Sequence, residues 1–329
     1  LSGRAVELIP GDSGACALHG AMAFKMREFQ KAAKSFDCIL QAKTDDPDAW
    51  AGWVRATIAA GEPGKAQERL QSALDRSPKD ARLNYWFGVV LLRQVLPKKA
   101  QMAFQDAVAL SPADVAAPLA LAQMALDAGD SKRATALVDK IPSTTSTSDT
   151  TSIAVMRARI AWSNRLVDEA DNQLRLALAA DPTSIDALVL QIQTLCASRK
   201  PDLARPFLET ALAEDPKNAD VVDAQGQTYA ASGNLQAAAG RFEQAIAYEP
   251  NRAEYYLHLG RAALAQGSFD KATKAAESAA ELKPDSAEMR ILQAQVLRVK
   301  RPREAEMVLI ESLKLHPEIA ELQDELGLT

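Results

Sequence analysis

Three histidines and three cysteines are the first places to look for catalysis or metal binding in this chain. His19, His258 and His316 lie far apart, and none has a second His, Cys or carboxylate at ligand spacing on the same helical face. His19 is expected to be a buried structural imidazole. Cys16, Cys38 and Cys196 form no C-x-x-C, and their odd count predicts no disulfide framework. Cys16 follows Ser13-Gly14-Ala15, but no apolar segment precedes it, which excludes a lipoprotein cleavage site. Gly61 and Gly64 fit a turn between helices and, with no strand before them, do not cradle a phosphate. Thirty-eight basic against 43 acidic residues give a net charge of −5, the wrong sign for nucleic acid. The chain reads as non-enzymatic, with no cofactor and no metal.

What does recur is a frame of small and apolar residues with a period of 34. Units begin at Ser13, Pro47, Ala81 and Val115, then at Thr151, Ile185, Ala219, Ala253, Ala287 and Ala320. Gly226, Tyr229, Ala238, Phe242, Ala245 and Pro250 return as Gly260, Ala263, Ala272, Ala276, Ala279 and Pro284. An Ala followed four residues later by a larger apolar residue marks the other units, as in Ala66 with Leu70 and Ala305 with Leu309. Within each unit, apolar residues at three- and four-residue spacing form two blocks, the pattern of two amphipathic helices. Gly61, Gly129, Gly233 and Gly267 fall between the blocks, where a left-handed turn costs glycine nothing. Prolines such as Pro112, Pro216 and Pro250 close the second helix.

Length and composition agree with such an array. Each unit packs on its neighbours, so 329 residues need no single large core. Hydrophobic content of 47% with 25% charged residues is that of a soluble folded protein and leaves cytoplasm and periplasm equally open. No apolar stretch reaches the roughly 18 residues of a membrane span. One interruption breaks the frame: after Pro142, the run from Ser143 to Ser152 is almost all Ser and Thr, and is expected to be a mobile loop. Ala5 and Pro10 occupy late second-helix offsets and the first residue is Leu, so the chain is expected to be a segment of a longer array.

The frame resembles the tetratricopeptide repeat, W-x2-L-G-x2-Y, then A-x3-F, then Pro, with Trp50 or Tyr256-Leu259-Gly260 opening the signature. The resemblance implies nine full repeats with partial ones at both ends, in an all-α right-handed superhelical solenoid of antiparallel helix pairs. Residues 1–12 would be the tail of a preceding repeat, 13–142 repeats one to four, 143–150 the Ser/Thr loop, 151–319 repeats five to nine, and 320–329 the start of another. In this family the first helix of each unit lines a concave groove. The ninth residues then run Ala21, Arg55, Val89, Gln123, Arg159, Gln193, Gln227, Arg261 and Gln295. One turn before them stand Tyr85, Leu119, Val155, Val189, Leu257 and Ile291, and one turn after, Phe24, Ile58, Leu92, Leu126, Trp162 and Leu264.

The resemblance therefore implies a protein-interaction scaffold that binds a peptide or partner protein within a larger assembly. Arg55, Tyr85, Gln123, Arg159, Trp162, Gln193, Gln227, Arg261 and Gln295 are the expected partner-binding residues. Their amides and guanidinium groups would meet the partner's backbone carbonyls and acidic side chains, so the partner should carry apolar and acidic residues. The alternative is the recruiting region of a larger enzyme, or of a bacterial polysaccharide or protein export or pilus assembly machine. Open array ends would offer surfaces for self-association. Neither the Lys/Asn clamp of chaperone-binding members nor the Asn ladder of sugar-transferring members is present at the matching positions, where Ala17, Ala51, Tyr85 and Leu18, Trp86, Met156 stand instead.

Overall fold

The computed structural model describes residues 12–143, 146–299, 301–317 and 319–327, and among them nineteen helices and no strand. The chain forms two compact units, residues 1–166 and 167–329. Unit 1 pairs α1 (Ser13–Lys25) with α2 (Phe29–Ala42), α3 (Pro47–Ala59) with α4 (Pro63–Arg76), and α5 (Ala81–Arg93) with α6 (Pro97–Leu110). It continues through α7 (Ala116–Asp127) and α8 (Ser131–Val138) to α9 (Thr147–Ser163). Unit 2 opens on α10 (Val167–Ala180) and pairs α11 (Ile185–Ala197) with α12 (Pro201–Glu214), and α13 (Ala219–Ala231) with α14 (Leu235–Tyr248). It goes on to α15 (Ala253–Ala265) with α16 (Phe269–Leu282), α17 (Ala287–Arg298) with α18 (Pro302–Leu315), and α19 (Ala320–Gly327). The units part at Leu166, inside the fifth repeat of the sequence frame and not at the Ser/Thr stretch. The expected tail of a preceding repeat lies outside the described residues, apart from Asp12.

Local chemistry sets the helix ends. Asp12, Asp46 and Asp80 cap the first helices of unit 1, each carboxylate accepting backbone N–H bonds from the opening turn. Pro63, Pro97, Pro201 and Pro302 open second helices, where a missing N–H costs nothing. The signature alanines hold the pairs close: Ala66, Ala100, Ala134, Ala204, Ala238 and Ala272 are all completely buried. Phe104 lies against Gly88 and Phe242 against Gly226, so tightly that a Cβ on either glycine would come within 2.6 Å and 2.5 Å of the ring. Ala238→Phe should therefore cost unit 2 about 1 to 3 kcal/mol, read by urea unfolding, because the added ring has no space to enter.

The turn between paired helices keeps one conformation along the array but is not always made of the same residue. Gly61, Gly129, Gly233 and Gly267 have φ of 79°, 77°, 82° and 73°, as expected. Arg27, Val95, Arg165 and Arg199 take the same left-handed conformation at 62°, 59°, 61° and 58°. In the third repeat the Leu96 N–H reaches back to the Leu91 carbonyl (3.0 Å), which fixes Val95 in place despite its branched Cβ. Val95→Gly should stabilise the protein by about 0.5 to 1 kcal/mol, the relieved strain being partly offset by a more flexible unfolded chain. A chemical-denaturation midpoint that falls would contradict this.

Two sequence expectations are corrected. The Ser/Thr stretch is mostly helical: α9 starts at Thr147, with Ser146 capping it through the Asp149 N–H (3.3 Å) and accepting the Thr150 hydroxyl on its carbonyl (2.8 Å). Short polar side chains that satisfy a helix start, with Asp149 in the first turn, outweigh the poor apolar content. Residues 144–145 are outside the described residues. Cys16 on α1 and Cys38 on α2 are joined as a disulfide, with Cα atoms 6.4 Å apart, because they face each other across the first helix pair. The odd count of three leaves Cys196, a buried thiol whose pKa burial raises.

Candidate functional site

In unit 1 the expected binding residues lie on first helices. Arg55, exposed on α3, sets its guanidinium over the Phe24 ring of α1 at 5.4 Å. Tyr85, half-buried on α5, packs against Trp86 (5.0 Å) and Phe104 (5.7 Å). Burial, with the Asp114 carboxylate, raises the Tyr85 hydroxyl pKa, and the charge of Arg55 opposes them. Three successive first helices thus set Arg55 over Phe24 and within electrostatic reach of Tyr85. Ile58, one turn from Arg55, is half-buried and Leu92 is exposed; Leu126 is half-buried in the packing around Ala122 and Ala134. Arg159 and Trp162, both partly exposed on α9, belong to the same column. No hydrogen bond, ion pair or ring contact among the described residues joins them to Arg55. Gln123 on α7 gives its amide N–H to Asp127 (2.9 Å).

The column in unit 2 is different in kind. Gln193 is half-buried on α11 and Arg261 is exposed on α15. Gln227 donates to the Asp223 Oδ2 at 2.7 Å, and Gln295 to the Glu325 Oε1 at 2.5 Å. The glutamines were expected to donate to a partner. In Gln123, Gln227 and Gln295 one of the two amide N–H groups is instead given to a carboxylate of the chain itself, which leaves the second N–H and the amide oxygen to meet a partner. Val155, Val189 and Leu257, expected to line the groove, are buried in the helix packing.

Spacing along single helices did not reveal a polar network that links neighbouring repeats of unit 2. His258 Nδ1 on α15 lies 2.8 Å from Oδ1 of Asp223 on α13, and Asp223 is only 2% exposed. The imidazole also packs on Phe242 at 5.5 Å. Burial alone would lower the His258 pKa; the charge and hydrogen bond of Asp223 outweigh it and hold it above the ordinary value. Close by, Asp220 accepts from the Tyr255 hydroxyl (2.8 Å) and Arg252 (3.3 Å), and Lys283 pairs with Glu254 at 2.5 Å. The one sequence signal was Asp223 itself, an acid at an offset that is apolar or aromatic in the other full repeats. His19 meets the Ser35 hydroxyl (2.7 Å) and His316 the Asp285 carbonyl (2.6 Å). Among the described residues no three His, Cys, Asp or Glu side chains are grouped to hold a metal ion.

These features join repeats and present side chains. Family models of the tetratricopeptide repeat match residues 23–85 and 224–287. A solved chain of the APC/C hetero-tetramer Cut9-Hcn1 is 16% identical with a TM-score of 0.58, and the match covers 96% of this chain and 56% of that one. The chain therefore spans little more than half the length of that relative. A thermophilic tetratricopeptide-repeat protein of Thermus thermophilus is 20% identical with a TM-score of 0.50, over 55% of this chain and 97% of that one. No curated protein matches the sequence. At such identities the solved structures speak for the shared fold alone. With both matched segments lying on the helix pairs described above, in an all-α helical repeat fold, this chain belongs to the tetratricopeptide-repeat proteins.

Proposed function

We propose that the first-helix face of unit 1 captures a segment of a partner protein carrying apolar and acidic residues. Tetratricopeptide repeats are protein-interaction scaffolds, and the repeats here are a scaffold of that general kind. The observation that carries the finer reading is the exposed Arg55 guanidinium held over Phe24, beside Tyr85 and the partly exposed Ile58 and Leu92. A charged donor with a ring beneath it and aliphatic neighbours is the composition of an interface hot spot. Arg159 and Trp162 repeat that pairing of residue types on α9. The unit 2 face supports the reading less, since Gln227 and Gln295 are engaged within the chain.

The solved relative from a hetero-tetramer agrees with an array that works inside a larger assembly, such as the recruiting arm of an enzyme or of an export machine. The test is capture of a partner by the full chain, followed by remeasurement with Arg55 and Arg159 reversed in charge.

A further inference from the structure

We infer that the edge of unit 1 made by the turns between paired helices docks on an anionic lipid surface. Neighbouring turns adjoin in two places: Gln30 beyond the first turn donates to Glu62 in the second (3.4 Å), and Ser131 beyond the fourth donates to Asn164 in the fifth (2.7 Å). At the tips of the first, third and fifth turns stand aliphatic side chains turned largely to solvent. Met26 is 63% exposed, Val95 73% and Leu166 50%. Val95 is the least expected of these, since a β-branched residue there also holds a left-handed backbone. Neither packing nor backbone preference within the unit explains its presence.

Charge follows the same edge. Lys25 and Arg93 end the first helices, where cations favour the helix dipole, and Lys98 and Lys99 begin the second helix of the third repeat. All four are exposed, and no ion pair among the described residues engages them. Of the acids at these turns, Glu28 and Glu62 are matched by Lys31 (3.0 Å) and Lys65 (3.3 Å), Asp130 accepts the Arg133 backbone N–H as a helix cap (2.9 Å), and Asp127 accepts from the Gln123 amide (2.9 Å). The capping carboxylates Asp46, Asp80 and Asp114 stand at the opposite ends of the first helices. A chain of net charge −5 thus shows a cationic edge.

A lipid headgroup layer suits this edge better than a protein does. Packed helices are spaced by about 10 Å, so the tips are separate points and not one patch, and their aliphatic side chains offer no hydrogen bonds for a partner's pocket to recognise. A fluid interface accepts each tip on its own, while cations gain from anionic headgroups by about fivefold in binding for each. No helix among the described residues is long and apolar enough to cross a membrane, so the contact would be peripheral.

Flotation of the full chain with vesicles of phosphatidylcholine, with and without a minority of phosphatidylglycerol, tests the assignment. Binding should require the anionic lipid and disappear in about 0.5 M salt. Lys98→Glu with Lys99→Glu should weaken it by at least about tenfold. Met26→Ser with Val95→Gly should also weaken it while circular dichroism melting shows a fold at least as stable, which separates loss of the surface from loss of the protein. Absence of flotation, equal flotation with neutral vesicles, or full binding by both variants would overturn the proposal. So would loss of an acidic protein partner, but not of vesicles, in the same variants.

Discussion

The variant carrying Arg55→Glu and Arg159→Glu should lose capture of the partner by roughly a hundredfold or more. Each guanidinium belongs to the class of side chain whose removal from an interface centre costs about 2 kcal/mol or more, and reversal adds repulsion against the acidic groups it would have met. The fold should be untouched. Arg55 is exposed and its ring partner Phe24 is held by the helix packing and by Phe29 (5.3 Å), so thermal melting should stay near that of the parent. Added salt should weaken the parent's binding and leave the residual binding of the variant little changed, because screening acts on the charges that the variant no longer presents. Arg261→Glu, made separately, asks the same of the unit 2 face, and a loss confined to it would move the binding surface there. Undiminished capture by both variants would refute the first-helix assignment.

Asp223→Ala should destabilise unit 2 by about 2 to 4 kcal/mol, the largest effect expected from a single polar substitution in this chain. The carboxylate has both oxygens engaged, by His258 and Gln227, and removing it leaves the imidazole packed on Phe242 without its partner and frees the Gln227 amide. His258 keeps 21% of its side chain in solvent, which holds the cost below that of a fully enclosed pair. The effect should also depend on pH. The folded-state pKa of His258 lies above its ordinary value of 6.5, with Asp223 and Glu254 raising it against burial and Arg261. The pair's contribution is therefore complete below about pH 6.5 and is lost as pH rises through the raised value. Urea unfolding of the parent should show unit 2 weakening as pH rises above about 6.5, and Asp223→Asn should flatten that slope. An unchanged slope in Asp223→Asn would mean that another group sets the pH dependence.

The helices were legible in the sequence because every repeat restates the same packing problem. Ala238 and Phe242, or Ala66 and Leu70, can be read as core from their offsets alone, and Gly61 or Gly267 as turns from their position between apolar blocks. What escaped was chemistry between repeats. Asp223 and His258 are 35 residues apart on first helices that pack side by side, so a search for ligands on one helical face could not find them. Parity misled for the cysteines, since Cys16 and Cys38 pair by facing each other whatever Cys196 does. Composition misled at the Ser/Thr stretch, where one capping hydroxyl at Ser146 turns a polar run into a helix start. The glutamine column falls on first helices as expected, but Gln123, Gln227 and Gln295 each give one N–H to a carboxylate that the column offsets do not include.

The bond between Cys16 and Cys38 changes how the first repeat answers a mechanical load. A repeat array drawn from its ends gives way unit by unit, since each helix pair is held mainly by its neighbours. Each unit then releases its full contour. With α1 and α2 tied covalently, the chain between two cysteines that stand 22 positions apart cannot be drawn out even after its helices melt. At about 3.5 Å per extended residue, that shortens the reachable length by roughly 70 Å. The first repeat is thus the one hairpin among those described whose extension is limited by a covalent stop, and an oxidising or reducing surrounding sets how far it can be pulled.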